Sequence, residues 1–190
     1  MDIHQLSVRY LPEQDRILVR INTHTREELR LWLTRRLMID WWPVLQQHVR
    51  ARPALDGGGD ARLPQAPEAR GLMADFAHEQ AMAGADFSTP YREDGTTLPL
   101  GAEPLLVTHL RMNWPPRAPL QIDFEERLEG HAGPRSFQLS LKPPLVHALV
   151  HLLRQELGHA RWLDAAAPAA SAGDAAGTAP DAPARPRYLN

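Results

Sequence analysis

Apolar and polar residues alternate in three short segments near the start of the chain. A period of two residues is typical of β-strands that bury one face. Residues 12–15 and 22–25 join the segments and are too short for parallel crossovers, so the pattern predicts an antiparallel meander. The apolar positions are Leu6, Val8 and Tyr10, then Ile17, Val19 and Ile21, then Leu29, Leu31 and Leu33.

The apolar period lengthens after Thr34, a residue suited to cap the N-terminus of a helix. Pro43 falls inside the helical pattern and cannot donate a backbone hydrogen bond. The sequence therefore predicts either a kink at Pro43 or a helix that begins late, with Asp40 as its cap. The apolar residues at helical spacing are Leu37, Met38, Trp41, Val44, Leu45 and Val49.

The same order of patterns returns in the second half of the chain. Strand patterns cover residues 105–112, 120–124 and 137–141, and a helical pattern runs from residue 143 to Gly158. The remaining segments are predicted as a mobile loop (52–67), an inserted helix (68–85), an irregular connection (86–103) and a disordered tail (164–190).

A shift of the chain by 108 residues aligns the two halves across the change from strand to helix. Leu31 falls on Leu139 and Leu45 falls on Leu153. Any amphipathic strand followed by an amphipathic helix matches another at some offset, but here the match crosses both periods without a gap. We therefore predict a duplicated strand-strand-strand-helix unit, at residues 4–50 and 104–163.

One such unit has too few helices to cover its own sheet, so the two are expected to associate by their apolar faces. The predicted fold class is α+β. A single pseudo-symmetric domain over residues 1–163 contains antiparallel sheets, their helices and the inserted helix.

Composition excludes several classes of protein. The 190 residues include no cysteine, which excludes disulfide scaffolds, thiolate metal sites and cysteine nucleophiles. No apolar run approaches the ~20 residues that a membrane crossing needs, and residues 1–10 lack the layout of a secretory signal. These features predict a cytoplasmic protein with no membrane partner. A net charge of -2 makes nucleic acid an unlikely partner.

Two segments, DRILVRINT at residues 15–23 and ELRLWLTRRL at residues 28–37, resemble a family of uncharacterised bacterial proteins. The resemblance is strong over the first quarter of the chain and looser over residues 98–153. It implies a small cytoplasmic bacterial protein. It supplies no catalytic, cofactor-binding or metal-binding residue.

Histidines and one glutamate on the predicted helices are the candidate chemistry. His147 and His151 are four residues apart, on what the pattern predicts as the solvated side of their helix, and the sequence offers no third metal ligand. His48 and Glu156 lie at equivalent places in the two units. They could form an acid-base couple or a bridge between helix ends, but exposure at frayed ends is the favoured interpretation. We predict no catalytic residue, cofactor or metal site.

The outer face of the first sheet is the candidate contact surface. Where Leu31 and Leu33 point inward, alternation directs their neighbours outward. The residues of this surface are Arg16, Leu18, Arg20, Arg30 and Trp32. Either they bind another molecule, or the linker, the inserted helix or the tail covers Trp32 within the chain.

Arginine and tryptophan are enriched at protein interfaces, so the surface favours a non-enzymatic module that binds a protein partner or assembles with itself. One alternative is a small-molecule or metal-dependent enzyme that uses His48, Glu156, His147 and His151 between the two halves. A regulatory nucleic-acid binder is the other alternative.

Overall fold

Three antiparallel strands open the chain, as the alternating pattern predicts: β1 (Ile3–Leu11), β2 (Arg16–Thr23) and β3 (Glu28–Thr34). Their turns are tight, and Asp15 (φ 48°) and Arg26 (φ 61°) adopt the left-handed conformation there. The computed structural model describes residues 2–51, 67–84, 89–92, 97–115, 118–130 and 133–163. The predicted tail and nearly all of the predicted mobile loop lie outside these residues.

The segment predicted as one strand over residues 105–112 is divided between two sheets. Strand β4 (Leu105–Leu106) pairs in parallel with β3, and β5 (His109–Asn113) pairs with a later strand. Between them, the Val107 amide donates to Trp32 of the first sheet and the Thr108 amide donates to Glu125 of the second, at 3.0 Å each. The prediction of one continuous strand is therefore wrong, because the chain changes partners within it.

The second sheet has the order β5, β6 (Leu120–Glu126) and β7 (Arg135–Leu141), and both of its pairs are antiparallel. Glu126 is buried where the two sheets meet. Its carboxylate accepts hydrogen bonds from the Leu106 amide and from Arg135. The bond between the Leu106 amide and Glu126 links the two sheets at the point where the chain passes between them.

The described part of the chain also contains three helices: α1 (Arg35–Ala51), α2 (Pro67–Ala83) and α3 (Pro143–Ala160). The hydroxyl of Thr34 accepts a hydrogen bond from the Leu37 amide, so α1 begins directly after β3. The predicted late start at Asp40 is therefore wrong, and Pro43 lies inside the helix. None of the helices in the described ranges is long and apolar enough to span a membrane.

One core lies between the inward faces of the sheets and the helices. Trp41 of α1 meets Phe124 of the second sheet edge to face, with ring centroids 6.3 Å apart. At the other end of the core, Trp162 packs edge to face on Tyr10 of β1 and donates to Asp15. Helices α1 and α3 thus contribute to a core that both sheets share, and the fold class is α+β.

The two halves have the same order of strands and helix, and several positions related by the 108-residue shift are buried alike. Leu45 and Leu153 are fully buried, as are Leu31 and Leu139. The halves differ in their surroundings, because among the described residues a parallel neighbour strand is found beside the first sheet and not beside the second. The internal duplication therefore stays a prediction.

Candidate functional site

The outer face of the first sheet presents its side chains in rows that cross the strands. In the central row, Arg9 of β1 lies beside Leu18, Leu18 beside Trp32, and Trp32 beside Leu106. Arg20 and Arg30 face each other in the next row. Strand alternation therefore places the predicted surface residues on one side of the sheet.

Leu18, Trp32 and Leu106 form the apolar centre of this face. All three side chains are half-buried, and none of them belongs to the core on the opposite side of the sheet. Helix α2 packs against α1 and α3 on the helical side of the molecule, so this inserted helix does not cover Trp32. The apolar centre is thus a second apolar cluster, separated from the core by the sheet itself.

Two arginines of the face share one buried carboxylate. Arg20 Nε lies 2.6 Å from Glu28 Oε1, and Arg30 Nη2 lies 3.0 Å from Glu28 Oε2. Burial acts to raise the pKa of Glu28, but the hydrogen bonds from Arg30 and Arg20 outweigh it and hold the pKa below its usual value. Glu28 is therefore ionised at neutral pH and neutralises part of the positive charge of Arg20 and Arg30.

A short segment of the connection lies over this end of the face. Tyr91 places its ring 4.4 Å from the Arg20 guanidinium, and its hydroxyl is 3.4 Å from Glu28 Oε1. Asn22 donates to the Arg92 carbonyl, and Gln5 accepts from the Arg92 amide. Burial, followed by the charge of Glu28, raises the pKa of Tyr91, so its hydroxyl stays protonated. This end of the face is closed by the protein itself.

The arginines beside and beyond the apolar centre are not neutralised in this way. The side chains of Arg9 and Arg16 make no ion pair or hydrogen bond with any residue that the structure describes. Arg9 is exposed and Arg16 is half-buried. Two guanidinium groups therefore border the apolar centre with their donors available.

The outer face of the second sheet is polar, and its charges are engaged with each other. Glu125 is 2.8 Å from Arg127 and 3.8 Å from Arg111, while Gln138 donates to Asp123. The Arg127 hydrogen bond holds the pKa of Glu125 below its usual value. A shallow depression of about 250 Å³ lies on this face and is lined by residues of β5, β6 and β7.

His147 is not on a solvated surface, contrary to the sequence prediction. It is 1% exposed because α2 packs over that side of α3. The ring of His78, on α2, lies 5.7 Å from the ring of His147 and 5.8 Å from that of His151, measured between centroids. Within the described part of the chain, no three His, Asp or Glu side chains are arranged to hold a metal ion.

His48 and Glu156 do not approach each other. His48 is exposed, and its Nδ1 is 2.8 Å from the Val44 carbonyl of the same helix. Glu156 is half-buried and accepts a hydrogen bond of 2.7 Å from the Tyr10 amide of β1. The predicted exposure is wrong for Glu156, because α3 packs along β1 and brings this carboxylate to the backbone of that strand.

Sequence reasoning missed three residues of the face: Arg9, Glu28 and Leu106. Arg9 and Glu28 alternate with inward residues as Leu18 and Trp32 do, so the same period of two could have identified them. Leu106 was not identifiable, because its position depends on the parallel pairing of β4 with β3.

Comparisons of the chain with protein-family models, with curated proteins and with solved structures find no match. This result is consistent with the resemblance described above, which brings no function with it. The fold and the surface therefore define an α+β protein with one distinctive outer face.

Proposed function

We propose that this chain is a non-enzymatic, cytoplasmic protein-binding module, with the outer face of its first sheet as the contact surface. The observation that carries the proposal is the apolar centre, which lies across the sheet from the core and is bordered by arginines. Interfaces concentrate their binding energy in a few central residues, among which tryptophan and arginine are enriched. Trp32 is accordingly the expected anchor.

The alternatives have less support. An enzyme between the two halves would need its polar groups gathered there, whereas His48 bonds to its own helix and Glu156 bonds to β1. A nucleic-acid binder needs many free cations to contact phosphates. On this face, Arg20 and Arg30 share the carboxylate of Glu28.

The test is a selection of displayed random peptides on the immobilised full chain, followed by affinity measurements on the selected peptides. Replacing Trp32 with Ala should weaken their binding by about 30-fold, the equivalent of ~2 kcal/mol for a central tryptophan. The thermal midpoint should change little, because Trp32 is outside the core.

Phe76→Ala is the matched control. Phe76 is an aromatic residue on α2 that is 61% exposed and lies outside the proposed contact surface. This variant should bind the selected peptides as the unmodified chain does. Equal binding by Trp32→Ala and the unmodified chain would refute the proposal. Unfolding of Trp32→Ala in the absence of peptide would mean that Trp32 serves the packing of its own chain.

A further inference from the structure

We infer that the partner segment is acidic: its carboxylates bind Arg9 and Arg16 while an apolar residue beside them packs on Trp32. The inference rests on the proposed function, and it names the chemistry of the partner. The outward positions of β1 to β4 carry four arginines and one glutamate, a net charge of +3. A surface of this charge attracts a partner of the opposite sign.

The charge is not spread evenly over the face. Glu28 already binds Arg20 and Arg30, and Tyr91 covers that end. The free guanidinium groups are therefore those of Arg9, at the β1 side of the central row, and of Arg16, in the row beyond the centre on the side away from Glu28. This arrangement favours carboxylates at one end of the partner segment rather than along all of it.

The geometry places the charges and the apolar centre within reach of one short segment. Arg9 lies beside Leu18 in the central row, and Arg16 lies two residues before Leu18 on the same strand. Guanidinium groups bind carboxylates through two parallel hydrogen bonds, which gives direction as well as affinity. An apolar residue next to acidic residues matches this layout.

A second copy of this chain fits the surface less well. The carboxylates on the outer face of its second sheet are already in use, Asp123 by Gln138 and Glu125 by Arg127 and Arg111. A partner that brings its own unpaired carboxylates gains more from the free arginines. We therefore assign the surface to a different protein.

The experiment uses two displayed peptide libraries that share randomised apolar positions. One library has Asp or Glu at the remaining positions, and the other has Lys or Arg. On the full chain, the acidic library should be enriched about tenfold or more over the basic one, since one charged hydrogen bond contributes that much or more. Raising the salt concentration should weaken the binding of selected acidic peptides.

Charge reversal identifies the residues involved. Arg16→Glu and Arg9→Glu should each weaken the binding of acidic peptides by about tenfold. Arg16→Lys should bind them more tightly than Arg16→Glu does, but less tightly than the unmodified chain. Arg111→Glu is the control, because Arg111 is an exposed arginine on the outer face of the second sheet. It should leave binding unchanged.

Each of the following outcomes would overturn the inference. Equal enrichment of the two libraries, or enrichment of neither, would show that the surface does not select acidic segments. Selected peptides that depend on Trp32 but not on Arg9 or Arg16 would refute the acidic partner and leave the proposed function standing. Self-association lost in Trp32→Ala would assign the surface to a second copy. Tighter binding of a single-stranded oligonucleotide, lost in Arg16→Glu, would assign it to nucleic acid.

Discussion

Arginines lie on the outer faces of both sheets, but they stand in different surroundings. On the second sheet, Arg111 and Arg127 both lie beside Glu125. On the first sheet, Arg9 and Arg16 have no such partner among the described residues. A face whose charges pair internally gains little by binding, whereas unpaired guanidinium groups gain carboxylate hydrogen bonds when a partner arrives. The difference therefore separates a solvated surface from a candidate contact surface.

The inward faces of the two sheets are much more alike. Each consists of alternating apolar residues that pack against α1 and α3. Leu33 and Leu141 on the sheets, and Leu45 and Leu153 on the helices, are almost fully buried. Packing imposes the same demand on both halves. The difference in charge pairing lies at the outward positions, which packing leaves free to vary.

The largest expected effect tests the similarity of the inward faces. Leu45→Ala and Leu153→Ala should each lower the free energy of unfolding by about 2 to 5 kcal/mol, because each leaves a cavity in the core. Urea unfolding measures both. Val44→Ala is the control and should cost much less, since Val44 is 42% exposed on the same helix. A severe loss in one half and almost none in the other would show that the helices are not equally embedded.

A smaller effect tests the difference between the outward faces. Glu28→Ala should destabilise the chain by about 1 to 3 kcal/mol, because the buried carboxylate serves two arginines. Glu125→Ala should change stability little, since ion pairs near the surface contribute little. Thermal unfolding at neutral pH compares the two variants. Equal losses would contradict the description of the first face as internally closed at the Glu28 end.

Acid provides a related test of Glu28. Its pKa in the folded chain is below the usual 4.5, so the unfolded chain takes up a proton first as pH falls. The stabilisation from Glu28 is present above that value and is lost as pH falls through the folded pKa. We expect Glu28→Gln to show a shallower loss of stability between about pH 5 and pH 3. If the urea midpoints of Glu28→Gln and of the unmodified chain fall equally over this pH range, this expectation is refuted.

Local patterns were sufficient to predict β1, β2, β3, β6 and β7, the α1 and α3 helices and the side of the sheet on which Trp32 lies. Each of these depends on the period of neighbouring residues, and a period of two assigns faces directly. The candidate surface is predictable to the same extent, because Leu18 and Trp32 alternate with core residues. Glu28 lies two residues from Arg30 on the same strand, but its contact with Arg20 joins two strands, so its role as the ion-pair partner of both arginines was missed.

Features that depend on distant parts of the chain were not predictable. The change of partner after Leu106 requires that β3 and β6 both offer an edge to one segment. The burial of His147 requires that α2 pack on α3, and no local pattern in α3 reveals that helix. Glu156 similarly acquires its partner, the Tyr10 amide, only when α3 reaches β1.

Helix α2 also covers equivalent positions of the two halves to different extents. His147 and Ile39 are related by the 108-residue shift, yet His147 is 1% exposed and Ile39 is 45% exposed. The polar residue is buried and the apolar one is open to solvent. The contacts between α2 and α3 therefore include imidazole rings, that of His78 against those of His147 and His151.

The smallest expected effect concerns the docking of α2 through His78. Burial, followed by the charges of Arg154 and His151, lowers the pKa of His78 below 6.5, while Asp75 and Glu79 act in the opposite direction. The undocked helix therefore binds a proton more readily, so docking is strongest above pH 6.5 and weakens as pH falls below it.

Hydrogen exchange of residues 67–83, corrected for the intrinsic pH dependence of exchange, should accordingly increase in mild acid. His78→Phe keeps an aromatic ring without a titrating proton and should lose this response. His48→Asn should retain it, because His48 is exposed and bonds to its own helix. If His78→Phe responds to acid as the unmodified chain does, the asymmetry between the helices has another cause, and the histidine contacts do not control how α2 is held.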